Sequence, residues 1–312
     1  MPARLKVLVP RQRFAVELGK FPELDPVVIT VGQNPPPEAI GARAIVSEAT
    51  QWRDLKPFFD SIDTLEAIFM TSAGYDHVAQ RYEGVSIVNA RGAHGGSTAE
   101  MAVTMILAHN KKLELFEAGR RRHQWIYGVT GSMQHKKVLV LGAGDMGSRI
   151  GRILSAMEAE PVLFGRTARP GVQALSDLPS WLPDAYAVVV ALPMSPELHR
   201  FVDADLLAAM PDGSLFINVG RGGMVDTDAL VAELARGRIS AGIDVTDPEP
   251  LPADHPLWDS PNLILTPHVG GFAAGSFGRI IEVMGSNMRT MAHGQVPQNT
   301  IPLSSLPPPT PR

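Results

Sequence analysis

Short apolar runs alternate with longer segments of mixed polarity along two stretches of the chain. The apolar runs of the first stretch lie at residues 7–9, 27–31, 44–46, 65–70 and 85–88, and those of the second at 138–141, 161–164, 187–192, 214–219, 241–245 and 263–266. Strands that lie parallel need a crossover segment between them, which is usually a helix. The pattern therefore predicts an α/β protein with two doubly wound parallel sheets, each in its own domain.

Two helical segments indicate how the domains are connected. Ser97-Thr98-Ala99-Glu100 is a good helix start, and the helix is expected to run to about Gly119. A second helix at residues 278–291 is long enough to return to the first domain and pack on it. We expect a discontinuous first domain at residues 1–96 and 285–299, and a second domain at 97–284. The proline-rich residues 300–312 are predicted to be a loosely attached tail, neither helix nor sheet.

Composition narrows the class of protein. The chain has 312 residues, of which 45% are hydrophobic and 19% charged, enough for two packed domains. A net charge of -4 gives no reason to expect binding to nucleic acid or to an anionic membrane. The absence of cysteine excludes disulfides and thiolate metal sites, and no metal site is expected. Without a signal peptide or a membrane-spanning run, the cytoplasm is the expected location.

A glycine-rich turn follows the first strand of the second domain. The strand 138–141 leads into Gly142-Ala143-Gly144-Asp145-Met146-Gly147, followed by a helix. Gly142 permits the tight turn, Gly144 lets a pyrophosphate approach the backbone, and Gly147 allows the helix to pack closely on the sheet. The amides of Asp145 and Met146 lie at the helix N-terminus, where negative charge is favoured. The segment predicts a dinucleotide site.

The end of the next strand indicates which dinucleotide is bound. An acidic side chain there would bind the ribose diol of NAD(H) and repel a 2′-phosphate. This chain instead has Gly165-Arg166-Thr167-Ala168-Arg169, without an acid. Arg166 can pair with a phosphate, Thr167 can donate a hydroxyl, and Arg169 can add charge. We expect NADP(H) to be preferred, with NAD(H) possible; the alternative is that these arginines form an ordinary exposed turn.

Three ionisable residues follow later strands of the same predicted sheet. They are Arg221 in Asn218-Val219-Gly220-Arg221-Gly222, Glu249 in a Pro-Glu-Pro turn, and His268 in Thr266-Pro267-His268-Val269-Gly270-Gly271. Arginine can hold a substrate carboxylate, and histidine can exchange a proton near neutral pH. Glu249 can stabilise the imidazolium by bonding its second nitrogen. Each residue alone has an ordinary structural alternative, but together they indicate reduction of a 2-keto acid.

These motifs resemble the D-isomer-specific 2-hydroxyacid dehydrogenases. The resemblance rests on residues 218–271, on the turn at 142–147, on Thr98-Ala99-Glu100 and on Ser72-Ala73-Gly74-Tyr75-Asp76-His77. It covers nearly the whole chain except the proline-rich tail. It implies a flavodoxin-like substrate domain and a Rossmann cofactor domain, and it assigns the same catalytic roles to Arg221, Glu249 and His268. It also implies a homodimer formed through the helix after Ser97.

The resemblance implies further binding residues. Asp244 is expected on the nicotinamide side of the cofactor, and the backbone amides at Ser72, Ala73 and Gly74 are expected to meet the substrate carboxylate together with Arg221 and His268. The complete set expected at the cofactor is Gly142, Gly144, Asp145, Met146, Gly147, Arg166, Thr167, Leu192, Pro193, Val219, Gly220, Asp244, His268 and Gly270.

The chain departs from the family at two places and leaves the function open in part. Arg91 stands where the family often has proline, and either brings positive charge to the cleft or points outward. After Leu192-Pro193, Leu198 stands where a threonine is usual, which alters the adenine side. The leading hypothesis is an NADPH-dependent reductase of glyoxylate or hydroxypyruvate. The alternatives are NAD-dependent oxidation of a D-2-hydroxy acid such as 3-phosphoglycerate, and a dinucleotide sensor like the related co-repressors.

Overall fold

The computed structural model describes residues 4–48, 55–76, 78, 81–306 and 309–310, and it divides into two compact units. Unit 1 comprises Met1–His94 and Ala274–Arg312, and unit 2 comprises Gly95–Ala273. Unit 1 is therefore discontinuous in sequence, and unit 2 is inserted into it. His77, the last residue of the motif that begins at Ser72, lies outside the described residues.

The amino-terminal part of unit 1 forms a five-stranded parallel sheet in the order β2-β1-β3-β4-β6. Its elements are β1 Leu5–Val9, α1 Gln12–Leu18, β2 Leu24–Val28, β3 Ala44–Ser47, α2 Lys56–Ser61, β4 Ala67–Met70, β5 Arg81–Tyr82 and β6 Ser86–Val88. This is the flavodoxin-like order. The second strand begins at Leu24, earlier than the expected residue 27. β2 is an edge strand, and Pro26 is tolerated there because its missing N–H costs no hydrogen bond to a neighbouring strand.

Unit 2 contains a seven-stranded parallel sheet in the order β13-β12-β11-β10-β7-β8-β9. Its elements are α3 Gly95–Asn110, α4 Leu113–Arg121, β7 Lys137–Leu141, α5 Asp145–Ala156, β8 Glu160–Gly165, β9 Gln173–Ala174, β10 Ala187–Val190, α6 Ala204–Ala209, β11 Leu215–Asn218, α7 Thr227–Ala235, β12 Ser240–Ile243 and β13 Leu263–Leu265. The strand order reverses between β7 and β10, which makes this a Rossmann sheet with its switch point beside β7. Both parallel-sheet domains are thus confirmed.

The helix expected from Ser97 to about Gly119 is two helices. Lys112 separates α3 from α4 and has a left-handed conformation, with φ of 53°. A residue with this conformation ends a right-handed helix because its carbonyl and amide leave the helix axis. No glycine or proline lies at the break, so the sequence pattern predicted one continuous helix.

The chain returns to unit 1 through α8, Ser276–Ala292. Its buried side chains Ile281, Met284, Met288 and Met291 share a core with β1 of the same unit. The whole helix therefore belongs to unit 1, and the boundary between the units lies at residue 273 rather than at the expected residue 284. The sequence placed the helix correctly but not the boundary, because the apolar face of the helix does not reveal which sheet it covers.

The tail is attached more firmly to unit 1 than its proline content indicated. Ile301 is 3% exposed, and its amide donates to the carbonyl of Ile87 at 2.8 Å. Further on, Pro309–Thr310 forms strand β14, which pairs in parallel with β5. The expectation of a loose extension without sheet was wrong for these residues, because proline can occupy an edge strand whose N–H faces away from the partner.

Each of the two large sheets carries an apolar core on both of its faces, as a sheet of parallel strands requires. Within the described residues, no helix is both long and apolar enough to cross a lipid bilayer. The same residues contain no cluster of three or more histidine, aspartate or glutamate side chains placed to hold a metal ion.

Candidate functional site

Three loops at one edge of the seven-stranded sheet carry the predicted ionisable residues. Arg221 follows β11, Glu249 follows β12 and His268 follows β13, and these three strands are neighbours in the sheet. Because the strands are parallel, their carboxyl ends meet at the same edge. The structure thus brings the three loops to the edge that the sequence pattern predicted.

His268 and Glu249 form a hydrogen-bonded pair. The imidazole Nδ1 lies 2.5 Å from the carboxylate Oε1, and the two side chains remain 41% and 43% exposed. A carboxylate can only accept this bond, so the Nδ1 atom carries the hydrogen. Nε2 is then the ring nitrogen that Glu249 leaves free to meet a ligand.

A buried carboxylate holds the loop that carries His268. Asp244 is 2% exposed, and its Oδ1 accepts hydrogen bonds from the Thr266 hydroxyl at 2.5 Å and the Val269 amide at 2.9 Å. Its Oδ2 accepts from the Gly270 amide at 2.8 Å. The Asp244 carbonyl also accepts from the amide of His268, which has a left-handed φ of 53°. The unusual backbone of His268 is therefore fixed by Asp244 on both sides.

The Arg221 loop is shaped by a buried amide and by close backbone contact. Asn218 is 1% exposed; its Oδ1 accepts from the Gly220 amide at 3.0 Å and its Nδ2 donates to the Arg221 carbonyl at 3.1 Å. A Cβ atom on Gly222 would lie 2.0 Å from the backbone of Thr246. The Arg221 loop thus packs directly on the segment that leads to Glu249.

The glycine turn after β7 has the geometry expected of a dinucleotide site. Gly142 has φ of 123°, and a Cβ there would lie 2.5 Å from the Ala191 carbonyl oxygen. A Cβ on Gly147 would lie 1.7 Å from the Gly142 carbonyl oxygen, whereas Gly144 has open space around it. Gly142 and Gly147 are needed for packing, and Gly144 leaves room for a ligand at the N-terminus of α5.

Asp145 occupies the first position of α5. Its Oδ1 accepts from Arg149 Nε at 2.8 Å, and its buried Oδ2 has no hydrogen-bond partner in the described structure. A Cβ on Gly95 would lie 2.0 Å from that Oδ2 atom. Side-chain charge in the first turn is therefore neutralised by Arg149, and the backbone amides of the helix end remain directed at the turn.

The segment after β8 places cations beside the glycine turn. Arg166 and Thr167 are exposed, and Arg169 Nη2 donates to the Ala143 carbonyl at 3.0 Å. The pKa of the exposed Glu197 is lowered, first by a hydrogen bond from Ser195 and to a lesser extent by the charge of Arg166. Residues 165–169 contain no acidic side chain.

The remaining residues expected at the cofactor follow strands of the same sheet. Leu192 and Pro193 follow β10, Val219 and Gly220 follow β11, and Gly270 lies in the loop after β13. Gly270 has a steric requirement of its own, because a Cβ there would lie 2.8 Å from Asp244 Oδ2. All of them lie at the carboxyl edge of unit 2.

In unit 1, the loop at residues 72–74 has two of its carbonyl oxygens bonded on one side. The Ser72 carbonyl accepts from the Ala90 amide at 2.9 Å, and the Ala73 carbonyl accepts from Asn89 Nδ2 at 2.7 Å. In a trans peptide the N–H points opposite to the C=O of the same unit. The N–H groups of Ala73 and Gly74 therefore both point away from residues 89–90, and successive amides of this kind can bind an anion.

Sequence reasoning gave no role to three polar residues that shape these loops. They are Asn218, Thr266 and Asn89, and each ends or follows an apolar strand. A polar side chain directly after an apolar run was the available signal. It predicts that the residue is buried at the sheet edge, where its side chain must find backbone partners.

Residues 103–270, more than half of the chain, match the family model described as the D-isomer specific 2-hydroxyacid dehydrogenase NAD binding domain. The chain belongs to this family. Its members are NAD(P)-dependent D-2-hydroxyacid dehydrogenases and 2-ketoacid reductases, so the chain is an enzyme of that class.

Two relatives differ in how much of their length is matched. The chain is 28% identical to glyoxylate/hydroxypyruvate reductase B of Pectobacterium carotovorum, over 93% of this chain and 92% of that protein. It is 31% identical to D-3-phosphoglycerate dehydrogenase of Mycobacterium tuberculosis, but over 67% of this chain and 42% of that protein. The match to the first relative therefore spans nearly all of both chains, whereas the match to the second spans less than half of that protein.

A solved structure supports the two-domain fold. The D-isomer specific 2-hydroxyacid dehydrogenase of Xanthobacter autotrophicus Py2, in complex with NADPH and MES, superposes with a TM-score of 0.82 and 28% sequence identity. The match covers 96% of this chain and 98% of the other. Both parallel-sheet domains thus have counterparts in a dehydrogenase of the same family.

Proposed function

We propose that this enzyme is an NADPH-preferring reductase of small 2-keto acids of the glyoxylate and hydroxypyruvate type, yielding a D-2-hydroxy acid. The observation that carries the proposal is the His268–Glu249 pair at 2.5 Å, with Arg221 after the neighbouring strand β11. A proton donor and a fixed cation at one sheet edge are the groups that reduction of a keto acid needs. A dinucleotide bound at the glycine turn would supply the hydride.

In this proposal His268 is the general acid. Nε2 gives its proton to the carbonyl oxygen as negative charge develops there, and it takes the proton back in the reverse reaction. Glu249 holds Nδ1 and stabilises the imidazolium before transfer. Arg221 binds the substrate carboxylate and polarises the carbonyl through its planar guanidinium.

The amides of Ala73 and Gly74 are proposed to receive the substrate carboxylate as well. Their direction follows from the bonded carbonyls of Ser72 and Ala73, as described above. Two adjacent amides that point the same way suit a compact carboxylate.

Preference for NADPH is supported by the turn after β8. Arg166 and Thr167 are exposed at the carboxyl edge, and Arg169 bonds the Ala143 carbonyl within the glycine turn. A 2′-phosphate would gain charge-assisted hydrogen bonds there. The cofactor of the Xanthobacter structure, NADPH, agrees with this proposal.

The proposal is tested by mixing the purified protein with NADPH or NADH and a panel of glyoxylate, hydroxypyruvate, pyruvate and phenylpyruvate, and following oxidation of the reduced nicotinamide by absorbance. We expect turnover of glyoxylate and hydroxypyruvate, faster with NADPH. Oxidation of 3-phosphoglycerate with NAD and no reduction of the panel would support the phosphoglycerate alternative. Tight cofactor binding without any turnover would support a dinucleotide sensor.

A homodimer is proposed, and the exposed residues indicate where it forms. Most apolar side chains of α3 are buried within unit 2, whereas Trp125, Tyr127 and Val129 after α4 are 97%, 94% and 86% exposed. Adjacent exposed apolar side chains are typical of an interaction surface. Light scattering coupled to gel filtration should give twice the chain mass, and Trp125→Glu should lower it. We further propose a cytoplasmic location, which cell fractionation tests.

A further inference from the structure

Three buried asparagines in unit 1 form a connected hydrogen-bond chain. Asn89, Asn287 and Asn299 are 9%, 8% and 8% exposed. Asn287 lies in α8, Asn299 follows that helix in sequence, and Asn89 follows β6. Buried amide side chains are costly unless each polar group is bonded, so their partners define what these residues do.

Asn89 joins two loops through its side chain. Its Nδ2 donates to the Ala73 carbonyl at 2.7 Å, and its Oδ1 accepts from the Arg91 amide at 3.2 Å. The Ala90 amide adds a parallel contact to the Ser72 carbonyl at 2.9 Å. The turn at residues 89–91 thus acts as the support on which residues 72–74 rest.

Asn299 holds that same turn from the other side. Its Nδ2 donates to the Asn89 carbonyl at 3.2 Å and to the Arg91 carbonyl at 2.9 Å. Its own amide donates to Asn287 Oδ1 at 3.1 Å. The segment after α8 is therefore bonded to the support of the loop at residues 72–74.

The contacts of Arg91 show where this side chain is held. Its Nη2 lies 3.4 Å from Asn299 Oδ1, and its backbone amide is bonded to Asn89. The residue is exposed, and its guanidinium is held by Asn299. Arg91 therefore belongs to the turn at residues 89–91 that supports residues 72–74.

We propose that Asn89 and Asn299 are positioning residues for the substrate carboxylate, and that they act by fixing the peptide planes at residues 72–74. This inference rests on the proposed function of that loop. With the Ala73 carbonyl bonded to Asn89, the N–H of Gly74 points away from Asn89, where an anion can meet it. Without the Nδ2 donor the peptide unit between Ala73 and Gly74 can rotate, and the pair of amides is lost.

The inference predicts a specific kinetic pattern. The amides of Ala73 and Gly74 lie in unit 1, whereas the glycine turn and His268 lie in unit 2. Loss of this pair of amides should therefore weaken keto-acid binding and leave cofactor binding unchanged. If Asn89 had only a structural role, its substitution would lower the amount of folded enzyme and would change neither the KM for the keto acid nor the KM for NADPH.

The test compares Asn89→Asp with the wild-type enzyme. The substitution keeps an oxygen for the Arg91 amide and removes the donor to Ala73. We expect the KM for glyoxylate to rise about tenfold or more, which corresponds to losing one hydrogen bond to a charged ligand. The KM for NADPH should not change. Asn299→Asp, which removes donors one step further away, should raise the glyoxylate KM by a smaller factor.

Asn287→Asp is the matched control. It is also a buried asparagine in unit 1, but its Oδ1 accepts from the Asn299 amide, and its Nδ2 donates to the Val283 carbonyl within α8. The substitution keeps the oxygen and loses the helix bond. Its thermal stability should fall while the KM for glyoxylate stays at the wild-type value.

Oxalate binding measured by calorimetry separates this inference from the proposed reaction. If the wild-type enzyme reduces none of the keto acids, the proposed function is wrong, but weaker oxalate binding by Asn89→Asp would still support the positioning role. If Asn89→Asp folds and keeps the wild-type glyoxylate KM and oxalate affinity, the inference is overturned. An equal rise in the KM for NADPH would also overturn it.

Discussion

The two sides of the carboxyl edge in unit 2 are built in different ways. The loops after β11, β12 and β13 are fixed by buried polar groups and close backbone contact: Asp244 is 2% exposed, and Gly222 has no room for a side chain. The segment after β8 carries Arg166 and Thr167 in exposed positions, and Arg169 donates a hydrogen bond to the Ala143 carbonyl in the glycine turn. We refer to these as the fixed side and the open side.

The difference follows from what each side must do. Proton transfer depends on distance and direction, so an imidazole that serves it has to be held in place. A phosphate is recognised mainly through charge and flexible hydrogen bonds, which an exposed arginine provides. Substitutions on the fixed side should therefore change rate and stability, and those on the open side should change cofactor affinity alone.

The largest effect is expected for His268→Gln on the fixed side. Loss of the general acid should lower kcat by about 10²–10⁴-fold, while NADPH binding is retained. The measurement is steady-state reduction of glyoxylate together with NADPH titration by fluorescence. His199→Gln, the same change at an exposed histidine of unit 2, is the control and should leave kcat unaltered. Wild-type turnover in His268→Gln would remove this histidine from the mechanism.

A large loss of stability is expected for Gly222→Ala. The new Cβ would lie 2.0 Å from the Thr246 backbone, so the Arg221 loop has to move away from it. Overpacking of this kind costs about 1–3 kcal/mol or more in the free energy of unfolding. Urea unfolding followed by circular dichroism measures the loss.

Gly128→Ala provides the comparison for that substitution. A Cβ at Gly128 would meet no atom within 4 Å. Its free energy of unfolding should stay within about 0.5 kcal/mol of the wild type. Equal stability of the two variants would show that the contact between Gly222 and Thr246 does not constrain the fixed side.

A change in selectivity is expected on the open side for Arg166→Asp. The new carboxylate would repel a 2′-phosphate and could accept bonds from a ribose diol. The ratio of kcat/KM for NADPH over NADH should fall by about 10–100-fold, with the thermal midpoint unchanged. Arg152→Asp, a charge reversal at an exposed arginine of α5, should leave the ratio as it is. Continued preference for NADPH in Arg166→Asp would place the phosphate pocket elsewhere.

The smallest effect concerns pH and His109 in α3. Its pKa is lowered, mainly because burial disfavours the charged ring, although a hydrogen bond to the Ala241 carbonyl and the charge of Glu114 act in the opposite direction. The unfolded chain then binds a proton more readily than the folded one, so stability falls as the pH drops below about 6.5. The thermal midpoint should be lower at pH 5.5 than at pH 7.5.

His109→Gln tests whether that histidine is responsible. Glutamine can still donate to the Ala241 carbonyl but does not titrate, so the difference between the two pH values should become smaller. His123→Gln, at an exposed histidine of the same unit, should leave the difference as in the wild type. An unchanged difference in His109→Gln would assign the pH dependence to other groups.

Several features were predictable because they depend on local sequence. The apolar runs and the glycine spacing gave the parallel strands, the dinucleotide turn and the positions of Arg221, Glu249 and His268 after their strands. The physical reason is that period, turn chemistry and strand ends are properties of a few neighbouring residues. The left-handed break at Lys112 carried no such local signal and was missed.

Other features depended on residues far apart in sequence. Asp244 bonds Thr266, Val269 and Gly270 across more than twenty residues, and Asn299 bonds Asn89 across 210 positions in the chain. The resemblance to known dehydrogenases placed Asp244 beside the cofactor, but gave no hint that its carboxylate supports the His268 loop. Such partners are chosen by which buried polar group lies nearest after folding.

The sequence alone determined the fold class, the family and the chemical groups available at the sheet edge, because pattern and residue type fix these. Tertiary structure decided how those groups are held: which carboxylate is buried, which glycine has no room, and where α8 and the tail attach. These outcomes follow from close packing and from the requirement that buried polar groups find partners, and both conditions are met only when distant segments come together.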